Sequence, residues 1–167
     1  CALPISTAAY HMNLSTNNAT WWLEVTGLTA GQKYGYQYFI DGTQKFADPL
    51  SSLVLDPNND GNINAATNPN PLPYPTGQTT GFVSVFQPGA TPYNWQNTSF
   101  QGPAKKDLVI YELLVRDFVA KHNYQTLIDT LAYLDELGIN VIELMSPGEF
   151  ENNESWGYNP SFHKALD

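Results

Sequence analysis

"DLVIYELLV", Asp107 to Val115, and "INVIELM", Ile139 to Met145, decide how this chain is read. Each is a nearly continuous apolar run, as expected for a strand buried on both faces of a parallel sheet. Between them Asn123 offers a side-chain oxygen to cap a helix, and Leu127, Leu131 and Leu134 recur on one face of that helix. Gly138 then suits the left-handed stop that ends it. Two buried strands joined by one helix read as a βαβ unit, with parallel strands and a right-handed crossover.

Upstream the texture is different. "WWLEVTGL" from Trp21 and "YGYQYFIDGTQKF" from Tyr34 alternate as half-buried strands do, and Asp41-Gly42 supplies the positive φ values of a tight hairpin. This is antiparallel β. Trp21 and Trp22 point to opposite faces of one strand, so at most one of them belongs to a core. The 44 residues from Gly61 to Ala104 hold no Asp, Glu, Lys, Arg or His, yet they carry Tyr74, Phe82, Phe86, Tyr93, Trp95 and Phe100. Disordered segments combine high charge with few aromatics, so a packed but irregular path is expected, with "GFVSVF" as a short strand in it.

Sixteen acidic against seven basic residues leave a formal charge of −9. Nucleic acid and anionic membrane surfaces demand clustered Lys and Arg, so a neutral substrate suits this chain better. No apolar run approaches the roughly 18 residues of a membrane span. The single cysteine, Cys1, excludes an intrachain disulfide and a multi-thiolate metal site. His11, His122 and His163 lack metal-ligand spacing and read as surface or packing residues.

Two carboxylate patterns stand out. Asp56, Asn58, Asp60 and Gly61 match positions one, three, five and six of a calcium loop, but position twelve is Thr67 and the flanks are not helical. An Asx-rich turn is the favoured reading. Glu112 and Glu143 occupy matching places in "YEL" and "IEL", so both face one side of the sheet, as the paired carboxylates of a glycosidase would. Strand carboxylates are more often bonded to backbone or to a neighbouring cation such as Arg116, and that structural role is expected here.

"VIYELLVRDF", "LAYLDELGINVIELM" and "EFENNESWGYNPSFHKALD" together resemble the opening of the catalytic (β/α)8 barrel of the alpha-amylase family. "WWLEVTGLTAGQKYGYQYFIDG" with "FADP" is similar to the later strands of the immunoglobulin-like domain that precedes that barrel. The resemblance implies an α+β multidomain fold. Residues 1–60 would be an incomplete antiparallel, immunoglobulin-like β-sandwich, 61–106 an irregular connection with a short strand, and 107–167 the first two βα units of a (β/α)8 TIM barrel. At about 250 residues per barrel, 61 residues make about two units of eight. The chain is accordingly expected to be an interior fragment.

The family's nucleophile and acid stand on later strands, so the resemblance implies that no catalytic residue lies in this chain. It implies a substrate-binding role for Tyr158, whose ring would stack under a sugar, with Trp156 and Asn159 shaping the same loop. No metal ligand or cofactor is expected within these residues, and calcium is left open for the full-length protein. The implied parent is a retaining glycoside hydrolase acting on α-glucan polysaccharides or oligosaccharides, with branching or debranching enzymes as close variants. A non-catalytic carbohydrate-binding or structural module is the alternative. The chain departs from the family at Ser146, which precedes Pro147, at Leu114 where a His is common, and at Leu166 where a Pro is common.

Overall fold

The computed structural model describes residues 10–152 and 155–167, so Cys1 lies outside the described residues. The chain forms two compact units, the first containing the described residues up to Asp60 together with Leu72–Pro92, the second Gly61–Pro71 with Tyr93–Asp167.

In the first unit, β1 (Asn13–Leu14) pairs antiparallel with β2 (Trp21–Trp22), placing Asn13 opposite Trp22 and Leu14 opposite Trp21. Both indoles are exposed, so neither belongs to the core. A second sheet runs in the order β3 (Tyr34–Tyr36), β7 (Val83–Phe86), β6 (Val54–Leu55), all antiparallel. The hairpin β4 (Tyr38–Ile40) and β5 (Gln44–Phe46) turns at Asp41 and Gly42, whose φ values of 53° and 68° are those of the primed turn that strand twist favours.

The sequence run from Tyr34 to Ile40 therefore serves two sheets, and Gln37 marks the break. Its side-chain amide donates to the carbonyls of Thr80 and Phe82, which occupies a polar group where the strand leaves β7. Leu55, Val83 and Val85 form the buried cluster, with Leu53, Leu72 and Tyr74 packed against it. Gly35, paired with Val85 of β7, has little room beside it, since a Cβ there would stand 3.1 Å from Val83 Cγ1. Tyr34 and Tyr36 pack their rings on Phe86 at centroid separations of 5.7 and 5.5 Å.

Asp48, in the "FADP" stretch, ties this unit together. Its Oδ2 accepts from the hydroxyls of Tyr36 at 2.8 Å and Tyr38 at 3.2 Å, its Oδ1 accepts from the Leu50 N–H, and its own N–H donates to Ser84 Oγ. Partial burial works against the charged carboxylate, but the Leu50 N–H and the two phenols outweigh it and hold the group below the usual carboxylate range. A carboxylate depressed in the folded state stabilises fully above its unfolded pKa, near 3.9, and that stability is lost as the pH falls through the lower folded value. Wild-type stability is therefore expected to fall as the pH drops below about 4, and Asp48→Asn to flatten that fall while being less stable at pH 7. Urea denaturation at pH 7, 4 and 3 checks this; equal pH dependence in both proteins would remove Asp48 from the account.

In the second unit, β8 (Ile110–Leu113) and β9 (Val141–Leu144) pair in parallel, with Ile110 opposite Val141 and Glu112 opposite Glu143. The connection carries α1 (Val115–Phe118), α2 (Tyr124–Asp129) and α3 (Leu131–Glu136). Asn123 caps α2, its Oδ1 accepting from the Thr126 N–H, and Gly138 takes φ +80° after α3. Leu113, Leu127 and Leu134 are the buried centre, surrounded by Tyr111, Val115, Phe118, Ile139, Ile142 and Leu144.

Three expectations need correction here. The single helix is two: Thr130 ends α2, its hydroxyl donating to the Thr126 carbonyl, and the break turns Leu131 out while Leu127 and Leu134 stay buried. Among the described residues the strands are covered on one face, where the helices pack against Tyr111, Leu113, Ile142 and Leu144, and Ile110, Glu112 and Glu143 on the other face are exposed. Finally, Tyr93, Trp95 and Phe100 are not packed down: each is more than 70% exposed, and the first two rings meet edge to face at 5.0 Å. No helix among the described residues is long and apolar enough to cross a membrane.

Candidate functional site

Beyond β9 the pairing with β8 continues for one more bond, from the Met145 N–H to the Leu113 carbonyl, and the chain then turns back on itself. Gly148 bridges to Leu166 and Phe150 to Pro160. The Glu149 N–H donates to the Ala165 carbonyl, the Ser161 and Phe162 N–H groups donate to the Glu149 carbonyl, and the Asp167 N–H donates to the Pro147 carbonyl. Phe150, Phe162 and Ala165 are buried beneath this ladder. A loop of irregular backbone is thereby anchored at both ends, and it carries "SWGYNP", Ser155 to Pro160. Asn153 and Glu154, just before the motif, lie outside the described residues.

Gly157 explains the motif's glycine. It adopts φ +83°, its N–H donates to Ser155 Oγ, and a Cβ added to it would lie 2.1 Å from the Ser146 carbonyl oxygen. Only a residue without a Cβ fits so close an approach of two backbone segments. The consequence is for the next residue, because this contact sets where Tyr158 leaves the loop.

Tyr158 reaches the strands. Its hydroxyl donates to Glu112 Oε1 at 2.7 Å, a short charge-assisted bond, while the residue stays 62% exposed. That bond to Glu112, a little desolvation, and the negative charges of Glu112 and Glu143 all push the phenol above its ordinary pKa, so it is a neutral donor. Glu112 and Glu143 are in register on adjacent parallel strands and project on the face away from the helices. The partner of Glu112 is thus Tyr158, where backbone or Arg116 was expected; Arg116 Nε instead lies 3.4 Å from Asp117 Oδ1.

Of the other residues singled out in the sequence, Trp156 is exposed beside Tyr158 in the chain, and Asn159 donates from its side-chain amide to the Glu151 carbonyl within the loop. Trp156 is therefore free to meet a ligand, whereas Asn159 is committed to loop shape. His11, His122 and His163 are exposed. Nothing in the sequence paired Glu112 with Tyr158, which stand 46 positions apart; the in-register placing of Glu112 and Glu143 was the only signal.

In the first unit, the Asp56 stretch is an Asx turn. Asp56 is buried, its Oδ1 accepts from the Asn58 N–H, its Oδ2 accepts from the Asn59 amide, and its own N–H donates to Asp60 Oδ2. The Asp56 carboxylate is engaged by its own segment at both oxygens. Among the described residues no group of three or more His, Cys, Asp or Glu side chains is placed to hold a metal ion.

No family model matches the chain. The chain is 26% identical over 131 residues to the malto-oligosyltrehalose trehalohydrolase of Saccharolobus solfataricus, covering 78% of this chain and 19% of that protein. The enzyme of the same name from Mycobacterium tuberculosis is 29% identical over 157 residues, covering 94% of this chain and 23% of the relative. The chloroplastic isoamylase SU1 of Zea mays is 32% identical over 157 residues, covering 77% and 19%. The chain spans about a fifth of the length of these curated relatives.

Proposed function

From the premise that its homologues, malto-oligosyltrehalose trehalohydrolases and isoamylases, are glycoside hydrolases of the alpha-amylase family, we propose that this chain is the sugar-contacting opening of an α-glucan hydrolase. Residues 107–167 are read as the first two βα units of a (β/α)8 barrel. The face bearing Glu112 and Glu143 then looks into the barrel, and the loop after β9 stands at the carboxyl end of the strands, where barrel enzymes build their active sites. The observation that carries the reading is the Tyr158 ring, exposed yet tethered to a strand of that face.

The chemistry asks for a flat apolar surface under a sugar ring, together with two carboxyl groups flanking the scissile bond. Tyr158 supplies the surface, Trp156 extends it, and Asn159 holds the loop. The nucleophile and the acid of the double displacement are assigned to parts of the protein beyond these 167 residues. Glu112 is not offered as one of them, since its oxygen is already committed to a phenol. On this reading the 167 residues alone hydrolyse nothing. The relatives' names divide between malto-oligosyltrehalose trehalohydrolase and isoamylase, and the choice between those activities is assigned to parts of the protein beyond these 167 residues.

The test is to incubate the purified full-length protein that carries this chain with malto-oligosaccharides, malto-oligosyltrehalose and glycogen. Anomeric proton NMR would follow the products. Cleavage with retention of the α-configuration is expected. Folded protein that leaves all three intact overturns the reading; if that protein is still retarded in a gel containing soluble starch, the exposed Tyr93, Trp95 and Phe100 point to a binding module instead.

A further inference from the structure

Tyr158 presents a physical problem that the proposed function leaves open. A ring this exposed has few packing contacts to choose its rotamer, and an untethered aromatic side chain must be immobilised each time a sugar binds. Resting on the reading of Tyr158 as the sugar platform, we propose that Glu112 is a positioning residue whose carboxylate, by accepting the Tyr158 hydroxyl, fixes the ring in its sugar-binding orientation before the ligand arrives.

The geometry is suited to that task. Glu112 stands in the middle of β8, held by the in-register pairing with β9. The contact of 2.7 Å lies in the range of charge-assisted bonds, which are roughly twice as strong as neutral ones. The other end of the tyrosine is held by its backbone, because the preceding Gly157 lies against Ser146. A ring fixed at its hydroxyl and at its backbone has little freedom left, while the residue stays largely exposed. Glu143 has a separate part: placed beside Glu112, it adds negative charge that disfavours phenolate and so keeps the hydroxyl a donor.

Two measurements test this, and they fail independently. In the full-length protein, 13Cζ-labelled tyrosine is titrated by NMR, with Tyr158→Ala identifying the signal. Glu112→Gln is expected to bring the Tyr158 titration down toward that of an ordinary tyrosine, and an unchanged titration overturns the tether. In the full-length protein, Glu112→Ala and Tyr158→Phe are each expected to raise KM for malto-oligosaccharides about two- to tenfold with a smaller change in kcat, by restoring the ordering cost. The double variant should be no worse than either single one. Losses that add in the double variant overturn the proposal, and Glu112→Leu, which removes the acceptor at similar volume, serves in place of Glu112→Ala if the latter does not fold. If Tyr158→Ala leaves KM unchanged while the titration shifts as expected, the tether stands and the sugar-platform reading is what fails.

Discussion

Gly157→Ala is expected, on the α-glucan hydrolase proposed above, to lower kcat/KM of the full-length protein by about a hundredfold, a loss that a misplacement of about 1 Å at a substrate-positioning group can cause. The added methyl group would stand 2.1 Å from the Ser146 carbonyl oxygen, far inside contact distance. The obstacle is backbone, so no side-chain rotation relieves it. The left-handed φ of +83° adds a cost of about 1–3 kcal/mol for a residue with a Cβ. The loop must therefore shift, and it shifts at the residue immediately before Tyr158. Gly157 belongs to neither the cluster of Leu113, Leu127 and Leu134 nor the buried Phe150, Phe162 and Ala165, so the variant should fold. Steady-state kinetics and a thermal melt check both halves of the expectation. Wild-type kcat/KM in a folded Gly157→Ala protein would show that the Ser146 contact does not set the site.

The second large effect is on stability. Leu134→Ala is expected to cost about 2–5 kcal/mol, the range for emptying a buried leucine site, against a total stability of about 5–15 kcal/mol for a typical protein. Leu134 is only 2% exposed and packs at the centre of the cluster with Leu113 and Leu127. Its neighbour in the sequence pattern, Leu131, is 41% exposed, and Leu131→Ala should cost less than about 1 kcal/mol. Guanidinium denaturation of both variants, followed by far-UV circular dichroism, makes the comparison. Equal losses would mean that the helical break at Thr130 does not rotate Leu131 out of the core.

That pair of leucines shows how far periodicity carries. Spacings of four and three placed Leu127, Leu131 and Leu134 on one helix face, and they would share it on an unbroken helix. Thr130 offers its hydroxyl to the carbonyl four residues back and closes α2, so the phase of α3 is reset. The strands behave likewise. Apolar runs at 107–115 and 139–145 predicted strands correctly, but a run of apolar residues says that a segment can be buried and not which layers arrive to bury it. Here helices cover one face of β8 and β9, and Glu112 and Glu143 sit on the other.

Local chemistry was legible because its causes are local. Asp41-Gly42 adopts the positive φ values that a tight hairpin turn demands, Asn123 caps α2 with its own oxygen, and Gly138 stops α3 in the left-handed region, each within a few residues of the signal. The Tyr158 position was likewise marked by its motif, as part of a loop after a strand. Three decisions depended on segments far apart in the chain meeting in space. The Tyr36 and Tyr38 hydroxyls converge on Asp48, the Tyr158 phenol finds Glu112 across 46 positions, and Ser146 closes on Gly157 so tightly that no Cβ fits. Propensity and period act through neighbouring bonds, whereas a hydrogen bond or a van der Waals wall acts between whatever atoms the packed chain brings together, and that is decided only once the strands, helices and loop have closed.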